Sequence, residues 1–264
     1  MPGNQPDIIK LYRIVHIDNI EYLLTNGMHH REHEDADPNY INIGDSDLIA
    51  KRHEYPVGIN PPGGTLGEYV PFYFGPLSPM LYNIKNGYSG VKQRPQKDIV
   101  YILCKLDDVT ECCEDWCFTD GHAKKRFTEF YNDIDELSHV SWDIVVARYW
   151  SDTEEDYDRR RKKQAEFLVK DYVPAKCIFA IVTYNTIADA TQAMSLNMKM
   201  MDKEIKEQLS LRSKKIPSHY LLKQIKIKRQ SGEFQAVITC SIRLRIKDHF
   251  KNRLNSALRR TPYA

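Results

Sequence analysis

The sequence lacks the features that mark membrane and secreted proteins. No apolar run approaches the about eighteen residues of a membrane-spanning helix, and the opening residues, MPGNQPDIIK, contain no apolar signal core. These absences predict an intracellular, cytoplasmic protein without a membrane partner. Because that compartment is reducing, the six cysteines are expected to be thiols rather than disulfides.

The sequence also lacks the motifs of several common enzyme classes. Its glycine-rich segment PPGGTLG (61–67) is not a G-x-x-x-x-G-K-[ST] phosphate loop and does not lead from a strand into a helix. There is no G-x-S-x-G elbow, no H-E-x-x-H and no G-x-G-x-x-G. The commonest hydrolase, metalloprotease and Rossmann classes are therefore excluded.

Metal ligands at standard spacing are also missing. Two groups of residues are candidates: Cys112, Cys113 and Cys117 with His122, and His29, His30 and His33. The first contains no C-x2-C pair and no second ligand pair follows at zinc-ribbon distance, while the second lies in a polar loop without a partner cluster. Unpaired thiols and loop histidines fit both groups better, so no metal is predicted.

Charge is distributed unevenly along the chain. The formal net charge is +2, but residues 223–264 hold eleven Lys/Arg and two acidic residues, against 27 and 34 in the rest. A basic tail that meets phosphates and a solvated basic edge strand both fit this asymmetry. We expect two parts: a domain over residues 1–222 and a basic C-terminal extension over 223–264.

Many short strands and few short helices predict an α+β domain rather than a doubly wound sheet. Strands are predicted at residues 11–16, 70–74, 98–106, 141–150, 165–169 and 177–185, and in a hairpin around Ser231-Gly232. Helices are predicted at 17–26 with Asp18 as N-cap, at 78–87, around 126–131 and at 186–209, while 46–53 fits a helical turn or a strand end.

One acidic residue does not fit its predicted strand. In QAEFLVKDYVP (164–174), alternation places Ala165, Phe167 and Val169 on one face, and Glu166 beside Leu168 on the other. An edge strand with a partly exposed carboxylate would explain it. Alternatively, Glu166 together with His16, Arg52 and the aromatic run YVPFYF (69–74) would provide the groups that hold a nucleotide and act at a glycosidic carbon.

Four segments in this order resemble the DarT family of DNA ADP-ribosyltransferase toxins: YRIVHIDNIEYLLTNG, KRHEYPV, GTLGEYVPFYFGPLSPMLYNI and QAEFLVKDYVP. The resemblance runs from about Leu11 to Tyr220. It implies an ADP-ribosyltransferase fold, with split small sheets around an NAD cleft and peripheral helices. It also implies transfer of ADP-ribose from NAD to a base in single-stranded DNA, thymidine in one branch and guanosine in another, and reversal of the thymidine mark by a macrodomain antitoxin.

The resemblance implies roles for individual residues. Glu166 matches the catalytic glutamate, Arg52 the essential arginine, and His16 a histidine that contacts NAD. Asp18, Asn19, Tyr69 and Tyr73 are the further candidates for NAD binding. Leu77 departs from the family pattern, in which an arginine is expected before Ser-Pro-Met. No DNA-phosphate contact is therefore predicted at this position.

The remaining candidates concern the acceptor. Loop 111–143 is expected to contact the base, and the DNA-binding candidates are Met80, His122, Arg126, Tyr131, Arg243 and Arg245. A carboxylate near the ribose would stabilise the positive charge that develops as nicotinamide leaves. Either Glu166 or Arg52 would lie near the path of the acceptor proton. Thymidine is the favoured acceptor; guanosine, a protein or RNA acceptor, and a binding module without chemistry stay as alternatives.

Overall fold

Short helices and antiparallel strands make up the computed structural model, which describes residues 3–183, 221–230 and 233–242. The strands are β1 (Lys10–His16), β2 (Met28–His29), β3 (Tyr69–Tyr73), β4 (Ile99–Lys105), β5 (Trp116–Thr119), β6 (Phe130–Tyr131), β7 (Glu166–Lys170), β8 (Tyr172–Val173), β9 (Ile178–Thr183), β10 (Leu221–Gln230) and β11 (Glu233–Ile242). The α-helices are α1 (Ile20–Asn26), α2 (Ser46–His53), α3 (Pro79–Asn86), α4 (Leu106–Cys112), α5 (Trp142–Val146) and α6 (Arg159–Lys162). Single 3-10 turns lie at Ile17–Asn19, Leu66–Glu68, Gln96–Asp98 and Ala175–Cys177, and a longer 3-10 helix at Ile134–His139.

Nine strands form one antiparallel sheet in the order β10-β11-β9-β4-β1-β3-β7-β5-β6, and β2 pairs with β8 in a small second sheet. Strand β1 pairs with β4 along its whole length, but with β3 at a single position, Tyr12 opposite Tyr73. The large sheet therefore divides between β1 and β3 into two halves that meet at one residue pair. The predicted α+β class is confirmed, and this division matches the expected split.

The core lies on both faces of β7, and the predicted alternation is found there. Phe167 and Val169 belong to the main apolar cluster, whereas Leu168 belongs to a smaller one under the 54–66 segment. Strand β7 lies between β3 and β5, so it is an interior strand and not an edge. Glu166 faces the smaller cluster, on the side of the sheet that α2 and its following loop cover.

Helices α2 and α3 form where the sequence favours helix. The side chain of Asp45 accepts a hydrogen bond from Leu48 N at the start of α2, and Ser78 does the same for Leu81 N in α3. Gly87 ends α3 in the left-handed conformation, at φ 71°. At the first helix, the predicted cap Asp18 is wrong: His16 Nδ1 accepts Asp18 N, and the helix begins with a 3-10 turn.

Two predicted elements have the wrong type. Residues 142–146 form α5 instead of a strand, with Trp142, Ile144 and Val145 buried. A short apolar run does not distinguish a buried helix from a strand, which explains the error. Residues 126–129 form turns instead of a helix, because Phe130 and Tyr131 pair with β5 and the preceding residues must reverse the chain.

The C-terminal strands continue the β4 half of the sheet. Strands β10 and β11 pair antiparallel from Gln230 opposite Glu233 to Leu221 opposite Ile242, and β11 pairs with β9. The predicted helix at 186–209, Arg243 and Arg245 lie outside the described residues, and the division at residue 222 stays a prediction. Within the described ranges, every helix is too short or too polar to cross a bilayer.

A buried lysine ties α5 to the start of β7. Lys163 is 2% exposed, and its Nζ donates to Val145 O and Ala147 O, both at 2.7 Å. Burial, with a smaller effect of Arg159, lowers the pKa of Lys163 from 10.5 to about 8. Folding thus disfavours its protonated form, and between these two pH values the unfolded chain binds more protons than the folded one.

We therefore expect the stability of the protein, relative to Lys163→Met, to rise as the pH increases from about 8 to about 10.5, by on the order of 1 kcal/mol per pH unit. Below pH 8 the difference should be flat. Urea unfolding of both proteins between pH 6 and 10 measures this, and a difference that falls with pH would contradict it.

Candidate active site

Glu166 is the first residue of β7 and is buried next to the point where the large sheet divides. It lies opposite Tyr73 of β3 and is 2% exposed. Its backbone N–H donates to Thr119 Oγ1 at 3.1 Å, which fixes the first residue of the strand. A carboxylate that is taken out of water needs partners that compensate for the lost hydration.

Arg52 is the main partner of that carboxylate. Its Nη1 lies 3.0 Å from Oε1 and 2.8 Å from Oε2 of Glu166, so one nitrogen bridges both oxygens. The arginine lies in the last turn of α2, and the Asp45 cap fixes the start of that helix. Nη2 of Arg52 is buried and has no hydrogen-bond partner among the described residues. A buried donor without a partner is costly, which makes this N–H a contact point for a bound anion or carbonyl.

The loop between β5 and β6, residues 120–129, supplies the second partner. The backbone N–H of Ala123 donates to Glu166 Oε1 at 3.0 Å. Arg52 and Ala123 thus both donate to Oε1, while Oε2 lies 2.8 Å from Arg52 Nη1, accepts no hydrogen bond from the described residues and keeps a place for a further donor. A ribose hydroxyl is the kind of donor that this place suits.

His122 lies next to the same carboxylate, with its Nδ1 at 3.6 Å from Glu166 Oε1. Nδ1 accepts the N–H of Lys124 at 3.2 Å, so its lone pair is in use and the Glu166 contact is not a hydrogen bond. Burial lowers the pKa of His122 below 6.5, and the opposing effect of Glu166 is smaller. The imidazole is therefore neutral at pH 7. His122, predicted to contact DNA, lies beside the carboxylate, and its contact with DNA stays a prediction.

The division of the large sheet brings a second cationic group close to the site. Arg13 on β1 reaches across to β3, where its Nη1 donates to Pro71 O at 2.8 Å. Its Nε is buried and has no partner in the described part of the chain. Arg13 and Arg52 both lie near Tyr73, where their positive charges act against the rise of its pKa. Sequence reasoning missed Arg13, whose position inside an apolar strand was the available signal.

Among the proposed NAD residues, His16 and Asn19 are buried and Asp18 is exposed. His16 ends β1 and caps the following turn, as described above. The side-chain amide of Asn19 accepts from Ile41 N and donates to Ile41 O, both at 2.9 Å, which anchors the segment before α2. These contacts assign Asn19 a structural function, and its role in NAD binding stays a prediction.

The two candidate tyrosines of β3 differ in their surroundings. Tyr73 is partly buried beside Glu166, and burial followed by the Glu166 charge raises its pKa well above 10. Its hydroxyl therefore stays protonated. Tyr69 is 3% exposed, packs in the smaller apolar cluster and donates its hydroxyl to Gly63 O. This position gives no support for a contact between Tyr69 and NAD, and its role in NAD binding stays a prediction.

The candidate DNA contacts that lie within the described residues differ in their exposure. Arg126 is exposed on the β5–β6 loop, and Met80 packs partly buried against the cluster around Ile84. Tyr131 is 9% exposed and stacks between Phe118 and His139, with ring centroids 5.2 and 4.5 Å away. The ring of Tyr131 is thus used in packing, and its predicted contact with a base has no support from this position.

The cysteine and histidine groups have other contacts. Cys104, Cys112, Cys113, Cys117 and Cys177 are unpaired thiols. Ligand atoms of His29, His33 and Asp35 lie within 4.8 Å of one another, so the loop does bring these three residues together. However, His33 Nδ1 accepts Asp35 N at 3.0 Å, and the ring of His29 stacks on Tyr172. The absence of a metal stays a prediction.

The chain is similar to known proteins over most of its length. The family described as ssDNA thymidine ADP-ribosyltransferase, DarT, matches residues 12–214. A DNA ADP-ribosyl transferase of Escherichia coli O127:H6 is 38% identical over 180 residues, which cover 68% of this chain and 82% of the relative. A transferase–glycohydrolase fusion protein of Thermosipho africanus is 32% identical over 179 residues, or 67% of this chain and 42% of the fusion.

Solved structures show the same similarity. DarT of Thermus sp. 2.9 with ADP-ribosylated ssDNA superposes with a TM-score of 0.67 and 30% identity, over 75% of this chain and 92% of that one. The same protein with NAD+ gives a TM-score of 0.61 over 74% and 91%.

The divided sheet, the buried carboxylate with its arginine, and these matches define an NAD-dependent DNA ADP-ribosyltransferase, with NAD as the substrate that donates ADP-ribose. The chain belongs to the DarT family.

Proposed function

We propose that this enzyme transfers ADP-ribose from NAD to thymidine in single-stranded DNA, as a toxin whose mark a macrodomain antitoxin removes. The proposed chemistry depends on the Glu166 carboxylate. Arg52 and the Ala123 N–H hold this carboxylate, and its Oε2 can accept a further hydrogen bond. The proposal of thymidine as the acceptor is based on the family description, and that of single-stranded DNA also on the ADP-ribosylated ssDNA bound to the Thermus relative.

Glu166 acts on the bond between nicotinamide and ribose. When that bond breaks, its electron pair leaves with nicotinamide, and positive charge develops on C1′ and the ring oxygen of the ribose. A carboxylate fixed on a rigid strand stabilises this charge without reorganisation. Oε2 holds a ribose hydroxyl, which keeps C1′ next to the carboxylate.

The positions for NAD follow from the groups around the division of the sheet. The Arg52 N–H that has no partner among the described residues binds the pyrophosphate, and His16 at the end of β1 contacts the nucleotide. Tyr73, protonated and next to Glu166, donates to the nicotinamide ribose.

The acceptor step forms one bond and releases one proton. The ring nitrogen of thymine that is not bound to deoxyribose attacks C1′, and its proton leaves to a nearby base. We propose Glu166 as the group that accepts it, because the Arg52 guanidinium has no free lone pair and the Nδ1 lone pair of His122 already accepts Lys124 N–H. His122 lies on the β5–β6 loop, part of the segment that we propose contacts the acceptor base.

Labelled NAD and four homopolymer DNA oligonucleotides test the proposed acceptor, with RNA and protein substrates alongside. We expect label on oligo(dT), with a mass increase of one ADP-ribose on a thymine. Label on oligo(dG) alone would instead support the guanosine branch, and label confined to protein or RNA would overturn DNA as the acceptor.

The toxin–antitoxin assignment rests on the Thermosipho relative, in which the transferase is fused to a DNA ADP-ribosyl glycohydrolase. We propose a macrodomain partner that acts on the mark in the cytoplasm, where NAD and DNA are both present. Incubating the labelled oligonucleotide with a purified DNA ADP-ribosyl glycohydrolase should restore its original mass, and an unchanged mass would contradict reversal.

The basic C-terminal extension is proposed to contact the DNA backbone. We expect the double change Arg243→Gln and Arg245→Gln to weaken binding of a single-stranded oligonucleotide and to reduce its salt dependence, with KM for NAD unchanged. Fluorescence anisotropy at several salt concentrations measures this. An equal loss for NAD and DNA would indicate unfolding instead.

A further inference from the structure

We propose that Arg161 is a positioning residue for the transfer reaction: it holds the β5–β6 loop so that Ala123 N–H and His122 face the Glu166 carboxylate. The inference rests on the proposed catalytic function of Glu166. Arg161 contacts neither NAD nor Glu166 itself, and it acts through the loop.

The guanidinium of Arg161 joins three groups in hydrogen bonds. Nη1 and Nη2 donate to the two carboxylate oxygens of Asp120 at 2.8 and 2.9 Å, which is the bidentate geometry that favours arginine. Nε and Nη2 donate to Asp158 at 2.7 to 2.9 Å. Nη1 also donates to Thr128 Oγ1 at 3.1 Å. Asp120 and Thr128 lie near opposite ends of the loop, so one side chain ties both ends together.

This arrangement is largely shielded from water. The side chain of Arg161 is 12% exposed and that of Asp120 is 19% exposed, so the pair differs from a solvated surface ion pair of small effect. Removing Arg161 leaves the Asp120 carboxylate without its cation. Gly121 supports the close approach, because a Cβ at that position would collide with the Arg161 guanidinium.

The same contacts lead directly to the catalytic carboxylate. The backbone N–H of His122 donates to Arg161 O at 3.0 Å, and Thr128 Oγ1 donates to His122 O at 2.8 Å. The next residue is Ala123, whose N–H reaches Glu166 Oε1. Arg161 precedes Glu166 by five positions, so one short segment carries both the carboxylate and the group that holds its backbone donor.

The adjacent ion pair provides a matched control. Lys162 Nζ contacts Asp156 at 3.1 Å on the same helical turn, and this pair makes no hydrogen bond to the β5–β6 loop. Lys162→Met removes one cation at the neighbouring position and leaves the contacts of Asp120 in place.

The test compares Arg161→Met, Arg161→Lys and Lys162→Met in steady-state transfer to oligo(dT). We expect Arg161→Met to lower kcat by about 10- to 100-fold with KM for NAD within about twofold, because a small displacement of a catalytic geometry has effects of this size. Arg161→Lys keeps the positive charge but not the planar guanidinium that donates to both oxygens of Asp120. Its kcat should therefore lie between those of Arg161→Met and the wild type. Lys162→Met should match the wild type. A normal kcat per folded molecule in Arg161→Met would overturn the proposal, as would a loss confined to KM for NAD.

A second measurement reports on the loop itself. In hydrogen–deuterium exchange, peptides from residues 120–129 should exchange faster in Arg161→Met, while peptides from β4 keep their protection. Should Arg161→Met fail to fold, Asp120→Asn breaks the same contact from the loop side and is expected to give the same kcat and exchange changes. Unchanged exchange of the loop in a folded variant would contradict the positioning role.

The outcome for Glu166→Gln separates the two proposals. An inactive Glu166→Gln together with a fully active Arg161→Met would overturn only the positioning role. An active Glu166→Gln would overturn the proposed function of the carboxylate, whatever Arg161→Met does.

Discussion

Glu166→Gln is expected to abolish transfer of ADP-ribose to DNA, with a fall in kcat of about 1000-fold or more, and to leave the fold intact. Glutamine keeps the size of the side chain and removes the negative charge that stabilises the ribose cation. The loss should exceed that of any other single change at the site, because no other carboxylate contacts Arg52 or Ala123 in the described part of the chain.

Labelled NAD with oligo(dT) measures this effect, and circular dichroism and thermal unfolding measure the fold. Glu155→Gln is the matched control, since that glutamate is exposed and lies outside the site. Retention of more than a tenth of the wild-type rate by Glu166→Gln would show that another group stabilises the transition state.

Arg52→Lys is expected to lower kcat/KM by about 100-fold and to raise KM for NAD. A lysine keeps one positive charge near Glu166, but it cannot bridge both oxygens and also present a second N–H to the substrate. Both the geometry of the carboxylate and the binding of the pyrophosphate should suffer.

Arg52→Met should have a further effect on stability, because it leaves the buried Glu166 without its cation. Breaking a buried ion pair on one side costs about 3–5 kcal/mol. Urea unfolding of Arg52→Met measures this cost, with Lys51→Met as the control, since Lys51 is exposed in the same turn of α2. Equal stability of the two variants would indicate that solvent or another group compensates Glu166.

Much of the strand arrangement near the site was predictable. The alternation in 165–169 correctly placed Glu166 on the face of Leu168 and away from Phe167, because successive side chains of a strand point to opposite faces. Of the two interpretations of Glu166, the exposed edge strand is wrong, because β5 and β3 flank β7 on both sides. Strand pairing depends on distant segments, which local patterns do not report.

Residues 141–150 and 120–129 show why the rest of the site was harder to predict. The first segment has apolar residues that fit either a strand or a buried helix, and packing selects the helix. The second acts through the backbone N–H of Ala123, and a backbone donor leaves no signal in residue type. His122 was identified as a candidate, but for contact with DNA and not for its position beside Glu166.

The chemical groups and part of their local placement follow from the sequence: a carboxylate on the second face of a strand, an arginine in a segment that fits a helical turn or a strand end, and the segments that resemble the DarT family. Which of these groups meet depends on the tertiary structure. Arg52 and Glu166 are 114 positions apart, and Ala123 and Glu166 are 43 apart. Such contacts form only when burial of the sheet faces brings α2 and the β5–β6 loop over β7. The hydrophobic packing that drives this is collective, so no single segment encodes it.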